Sequence, residues 1–111
     1  MIKLRLPAFH YLGRSEDVPH DFVVPFYLAD RKLRVSIARV RNKLYAFDDL
    51  CTCARSACPL SGGLLAETII MCQCHGSRFD ITTGVVINGP AIQTLNVYEV
   101  QEMEGSIRIR A

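Results

Sequence analysis

The sequence predicts an all-β domain, a small antiparallel sandwich or barrel with a metal-binding subdomain formed by two loops. Three observations lead there. Apolar residues recur at every second position in short runs, most clearly Ile2, Leu4, Leu6 and Leu33, Val35, Ile37, which is the spacing that turns one face of an extended strand into a core. Gly, Pro, Asp and Asn break these runs at short intervals, and no stretch carries an apolar helical stripe of about ten residues or more. All five cysteines lie between positions 51 and 74, with His75 beside the last of them.

Each element follows from its own residues. Ile2, Leu4 and Leu6 alternate with Lys3 and Arg5 until Pro7 ends the run. Residues 15–19, Ser-Glu-Asp-Val-Pro, predict a turn or a single helical turn, since a proline disfavours helix at the residue before it. Phe22 to Leu28 reads as a strand, and Pro25 within it marks an edge or a bulge because it donates no ladder hydrogen bond. The strand through Leu33, Val35 and Ile37 leads to Arg41-Asn42, a hairpin turn into Lys43–Phe47. Asp48-Asp49 then precedes the first cysteine. Ser61-Gly62-Gly63 interrupts the chain before Thr68–Met71, which delivers Cys72. Phe79–Ile81 and Val85–Ile87 flank the turn Thr82-Thr83-Gly84, and Asn88-Gly89-Pro90 makes another turn. Leu95–Val100 and Ile107–Ile109, separated by Gly105, close the domain as a hairpin.

Length and charge narrow the function. A chain of 111 residues is expected to form one domain over 1–111. Its net charge of +2 is spread along the chain, so there is no basic footprint for nucleic acid. Charges at alternate positions break up the N-terminal apolar run, unlike a signal peptide, and no stretch reaches the ~20 apolar residues of a membrane span. The expectation is a soluble cytoplasmic protein. In that compartment clustered cysteines favour metal or redox chemistry over a disulfide scaffold.

Cys51-Thr52-Cys53 and Cys72-Gln73-Cys74-His75 form two short constellations, C-x-C and C-x-x-H, with the spacing of ligand loops that close on one metal centre. With the flanking Gly76-Ser77-Arg78-Phe79-Asp80, Thr83-Gly84, Gly89-Pro90-Ala91 and Cys58-Pro59-Leu60-Ser61, the chain resembles a Rieske-type ferredoxin across nearly its whole length. The resemblance implies a single domain with a cluster-binding subdomain at about 48–92 and a [2Fe-2S] cluster. It also implies a carrier that takes electrons from a reductase and delivers them to an oxygenase or similar enzyme. As a chain of this size it matches the ferredoxin component rather than the oxygenase subunit.

One departure stands out. A Rieske centre holds one iron with two cysteines and the other with two histidines, and its first loop reads C-x-H where this chain has Cys53. His10 and His20 lie upstream in strand and turn segments, so the expected ligand set is Cys51, Cys53, Cys72 and His75. A thiolate in place of neutral imidazole adds negative charge and lowers the potential. Phe79, where higher-potential relatives carry a tyrosine hydroxyl, points the same way. The resemblance further implies that Ser77 and the amides near Gly76 donate to cluster sulfurs, that Gly89-Pro90-Ala91 covers the cluster, and that Arg55 and Arg78 flank it near any acidic partner. It leaves Cys58 and Cys74 either as a disulfide clamping the two loops or as two reduced thiols. Rival readings are a structural zinc module, for which three Cys and one His are a standard set, a redox or pH sensor, and an accessory subunit that has lost its cluster.

Overall fold

The computed structural model describes residues 8–52 and 58–111. The strand expected at Ile2–Leu6, and the positions Cys53 and Arg55, lie outside the described residues. Among the described residues ten strands form two antiparallel sheets, and the only helical pieces are three-residue 3-10 turns. In chain order the strands are β1 (Phe9–Arg14), β2 (Val23–Leu28), β3 (Leu33–Val40), β4 (Lys43–Asp48), β5 (Leu64–Ala66), β6 (Ile69–Met71), β7 (Arg78–Asp80), β8 (Val86–Asn88), β9 (Val97–Met103) and β10 (Ser106–Arg110).

The larger sheet runs β1-β10-β9-β4-β3-β2. Its two end strands curl toward each other, and Gly13 on β1 lies so close to the Phe26 ring on β2 that a Cβ there would sit 2.4 Å from a ring carbon. The result is a nearly closed barrel. Pro25 is tolerated because β2 is an end strand of this sheet. Arg41-Asn42 forms the β3–β4 turn with both residues at positive φ, as a two-residue hairpin requires.

β3 is buried on both faces, and this explains why its alternation fades after Ser36. Val35 and Ile37 point into the barrel with Leu44, Ala46, Ile107 and Ile109. Ala38 and Val40, with Phe47 of β4, face the other way into a second core made with Leu60, Ile70, Phe79, Ile81 and Leu95. That second core joins the barrel to the smaller sheet, β5-β6-β7-β8. The chain leaves the barrel after β4 and returns at β9, and these two strands pair side by side at Phe47↔Val97 and Ala46↔Tyr98. Asp48 fastens the junction by accepting hydrogen bonds from the Tyr98 hydroxyl and from Asn96 Nδ2 at 2.9 Å.

The sequence expectations hold in outline and differ in detail. The turn at 15–19 contains one 3-10 turn, Ser15–Asp17. The strand segment expected around His10 is β1, whose bounds Phe9–Arg14 and irregular pairing between Tyr11 and Gly13 come from its partner β10. β5 was not expected; it follows directly on Gly62-Gly63 and owes its form to pairing with β6 at Leu64↔Met71.

Candidate metal centre

Each of the two cysteine loops rises from a short antiparallel stem. In the first, the Asp49 carbonyl accepts from Leu60 N, Leu50 bridges Pro59, and Cys51 N donates to the Cys58 carbonyl at 2.9 Å. In the second, β6 and β7 deliver a tight turn in which Cys72 N donates to Ser77 O at 2.8 Å and Gly76 N to Cys72 O at 2.9 Å. Gly76 has φ +77°, a conformation in which a side chain would be strained although space is open around it.

A disulfide between Cys58 and Cys74, with Cα atoms 6.5 Å apart, locks the two loops together. It settles the two alternatives the sequence left open. The Cys72 sulfur lies 3.5 Å from that of Cys58. Cys51 and Cys72 are buried, whereas His75 is exposed at the end of the second loop. Cys51 is disulfide-bonded here and Cys72 is a buried thiol; with both reduced, two opposed loops would offer buried soft sulfur donors with an imidazole at the rim, a set that suits an iron–sulfur group.

A third segment closes over the first two. Thr52 Oγ1 in the first loop donates to Gln93 O at 2.6 Å. Ser77 is fully buried, and its Oγ accepts the Ala91 N–H at 2.9 Å. The lone pair so engaged leaves the Ser77 proton to be donated elsewhere in the site. The chain reaches this position from β8 through residues 89–95, and Leu95 N is held by the Gly84 carbonyl at 2.8 Å. Ile92, between these contacts, is 96% exposed. The segment after Gly89-Pro90 is thus hydrogen-bonded to the second cysteine loop through Ala91 and to the first through Gln93.

Sequence reasoning missed Asp49, which was noted only as preceding the first loop. It is fully buried. Its carboxylate accepts from Arg34 Nε, from Ser36 Oγ at 2.6 Å and from Ser61 N at 2.8 Å. Burial pushes the carboxyl toward the neutral form, but the hydrogen bonds from Ser36, Ser61 and Arg34 outweigh it and hold the pKa below the ordinary carboxylate value. Nothing in the local sequence marks this burial, since Arg34 and Ser36 reach Asp49 only across the β3–β4 hairpin, from 15 and 13 residues upstream. The upstream histidines stand apart from the cysteines: His10 Nδ1 pairs with Asp30 at 3.5 Å, and His20 is exposed in the turn before β2.

A family model described as the Rieske [2Fe-2S] domain matches residues 8–99. The chain is 33% identical over 75 residues to the ferredoxin CarAc of Metapseudomonas resinovorans, covering 68% of each chain. It is 30% identical over 86 residues to the ferredoxin component of the naphthalene 1,2-dioxygenase/salicylate 5-hydroxylase systems of a Ralstonia species, covering 78% of this chain and 79% of that one. Among solved structures, the Sphingomonas yanoikuyae B1 ferredoxin superposes with a TM-score of 0.83 at 25% identity, over 94% of this chain and 99% of that one. A chain from the complex of reduced oxygenase and oxidized ferredoxin in carbazole 1,9a-dioxygenase gives a TM-score of 0.79 at 25% identity, over 92% of each. No helix among the described residues is long and apolar enough to cross a membrane.

Proposed function

The chain belongs to the Rieske [2Fe-2S] domain family, and it is an electron carrier of the ferredoxin type rather than a catalyst. From that premise we propose that it passes single electrons from a reductase to the terminal oxygenase of a dioxygenase system. Relatives that are named ferredoxin components of such systems and the solved oxygenase–ferredoxin complex support the choice of partner. The cofactor is a [2Fe-2S] cluster, which when bound supplies a one-electron couple. The zinc, sensor and cluster-less readings find no support in these likenesses.

The residues proposed to hold it are Cys51, Cys53, Cys72 and His75. The observation that carries this reading is the pair of stems: they bury Cys51 and Cys72 on two loops joined by the Cys58–Cys74 bond. Cys53 enters by its place in the C-x-C sequence alone. Within a single domain over 1–111, the segment at about 48–92 is the proposed cluster-binding part, and the four-stranded sheet with its second core supports that division. Ser77 is the proposed hydroxyl donor to a cluster sulfur, because Ala91 N–H already occupies its acceptor side. Exposed His75 and Ile92 mark the proposed face for partners, where a short path between redox centres and an apolar contact coincide.

The test is the visible and electron paramagnetic resonance spectrum of the purified protein before and after dithionite, with iron and sulfide counts. The expected result is a [2Fe-2S] spectrum with a paramagnetic signal on reduction, and a Cys53→His variant whose potential rises toward that of a two-histidine centre. A colourless protein holding zinc would refute the carrier reading. An unchanged potential in Cys53→His would remove Cys53 from the ligand set.

A further inference from the structure

Asp49 stands two positions before Cys51, and it lies at the base of the first ligand stem. Three successive rungs tie that stem: Leu60 N to the Asp49 carbonyl, Leu50 bridging Pro59, and Cys51 N to the Cys58 carbonyl. The Asp49 side chain closes the base of this ladder. Ser61 N in the 3-10 turn after the stem donates to Oδ1, Ser36 Oγ on β3 donates to the same oxygen, and Arg34 Nε on β3 donates to Oδ2. Asp49 N in turn donates to the Arg34 carbonyl at 3.1 Å, which extends the β3–β4 ladder by one residue into the loop.

An asparagine could accept from Ser61 N and Ser36 Oγ through its Oδ1, but it would turn an NH2 donor, not an acceptor, toward Arg34 Nε. The site instead holds a full charge at zero exposure, opposite an arginine whose side chain is 48% exposed. The two charges therefore sit in unlike surroundings. The buried carboxylate acts through protein, at an effective dielectric constant of roughly 20, while the guanidinium is partly screened by water and salt. Their fields do not cancel at the ligand loop.

We propose that Asp49 and Arg34 form a charge pair that tunes the reduction potential of the centre held by Cys51, the carboxylate lowering it and the guanidinium raising it. Reduction adds one negative charge to the cluster. A fixed anion at the base of the ligand stem opposes that change, and a fixed cation favours it. Asp49 holds the base of the stem through Arg34, Ser36 and Ser61, so it is a positioning residue whose charge also sets the electron affinity of the site. The proposal rests on the reading of Cys51 as a ligand of a [2Fe-2S] cluster.

The experiment is a redox titration of the full chain and three variants, Asp49→Asn, Arg34→Gln and Glu16→Gln, after iron and sulfide have been counted in each. Glu16 is paired with exposed Arg14 at the end of β1 and serves as the control, with no shift expected. Asp49→Asn is expected to raise the potential and Arg34→Gln to lower it, each by at least about threefold in the reduction equilibrium constant, or ~28 mV at 59 mV per tenfold for one electron. The Arg34→Gln shift should shrink as salt is raised, and the Asp49→Asn shift should persist. A structural lesion would move both variants in the same direction. Shifts of the same sign, or none in a protein that holds its two irons and two sulfides, overturn the proposal and leave the carrier reading intact. A parent protein with no cluster overturns both, and the metal counts tell the two cases apart. If Asp49→Asn fails to fold, Arg34→Gln decides by the sign of its shift. If neither variant retains iron, the pair serves only to anchor the loop and the tuning role is refuted.

Discussion

Removing the Ser77 hydroxyl tests whether the covering segment is held down by one buried hydrogen bond. In Ser77→Ala the Ala91 N–H loses its acceptor in a place where both residues are nearly inaccessible, Ser77 at 0% and Ala91 at 4% exposure. A buried donor left without a partner costs about 1–3 kcal/mol. The removed hydroxyl leaves a space too small to admit a well-bonded water in compensation. At ~2 kcal/mol the population of the locally opened segment rises about 30-fold, since each 1.4 kcal/mol is a factor of ten. Hydrogen–deuterium exchange followed by mass spectrometry reads this directly, because amide exchange in a stable domain reports local opening. The peptide spanning residues 85–95 should exchange about 30-fold faster, while peptides from β3 and β10 keep their parent rates. The Thr52–Gln93 contact keeps the rise local, for it still tethers the far end of the segment. Unchanged exchange at Ala91 would refute the reasoning, and equal acceleration across the barrel would show that the lesion is global.

Two further outcomes follow from the fold. Replacing Cys58 and Cys74 together by serine opens a covalent loop with a sequence separation of 16, and should cost about 3 kcal/mol; urea unfolding of the two proteins under identical conditions measures it, and equal midpoints would contradict a stabilising clamp. The Glu102 carboxylate accepts hydrogen bonds from Arg39, whose Nη2 lies 3.1 Å away, and from the Ser15 hydroxyl, and these hold its pKa below the ordinary value of 4.5. A lowered folded-state value means that the stabilisation is present above the unfolded value and is lost as pH falls through the folded one. Glu102→Gln should therefore lower stability near neutral pH and flatten the acid limb below about pH 4.5; acid-titrated melting curves that stay parallel to the parent's would contradict this.

Much of the protein is legible in its sequence because the signals are local. The alternation of Leu33, Val35 and Ile37, the Arg41-Asn42 turn and the proline in β2 each act within a few residues, and each appears in the structure where expected. The C-x-C and C-x-x-H spacings likewise act locally, and so point to the metal chemistry that the family match bears out. What the sequence leaves open depends on groups far apart in the chain. That Cys58 and Cys74 are bonded, and not two reduced thiols, follows from the two stems standing side by side. β1 exists because β10 offers it an edge, and its glycine is explained only by the Phe26 ring that meets it. Asp49 carries no signal beyond its place before the first cysteine until Arg34, Ser36 and Ser61 are brought around it. A residue's own chemistry and its neighbours' spacing decide strand and turn and point to the metal chemistry; only the closed fold decides which polar groups lose water, and therefore which charges are held inside the protein.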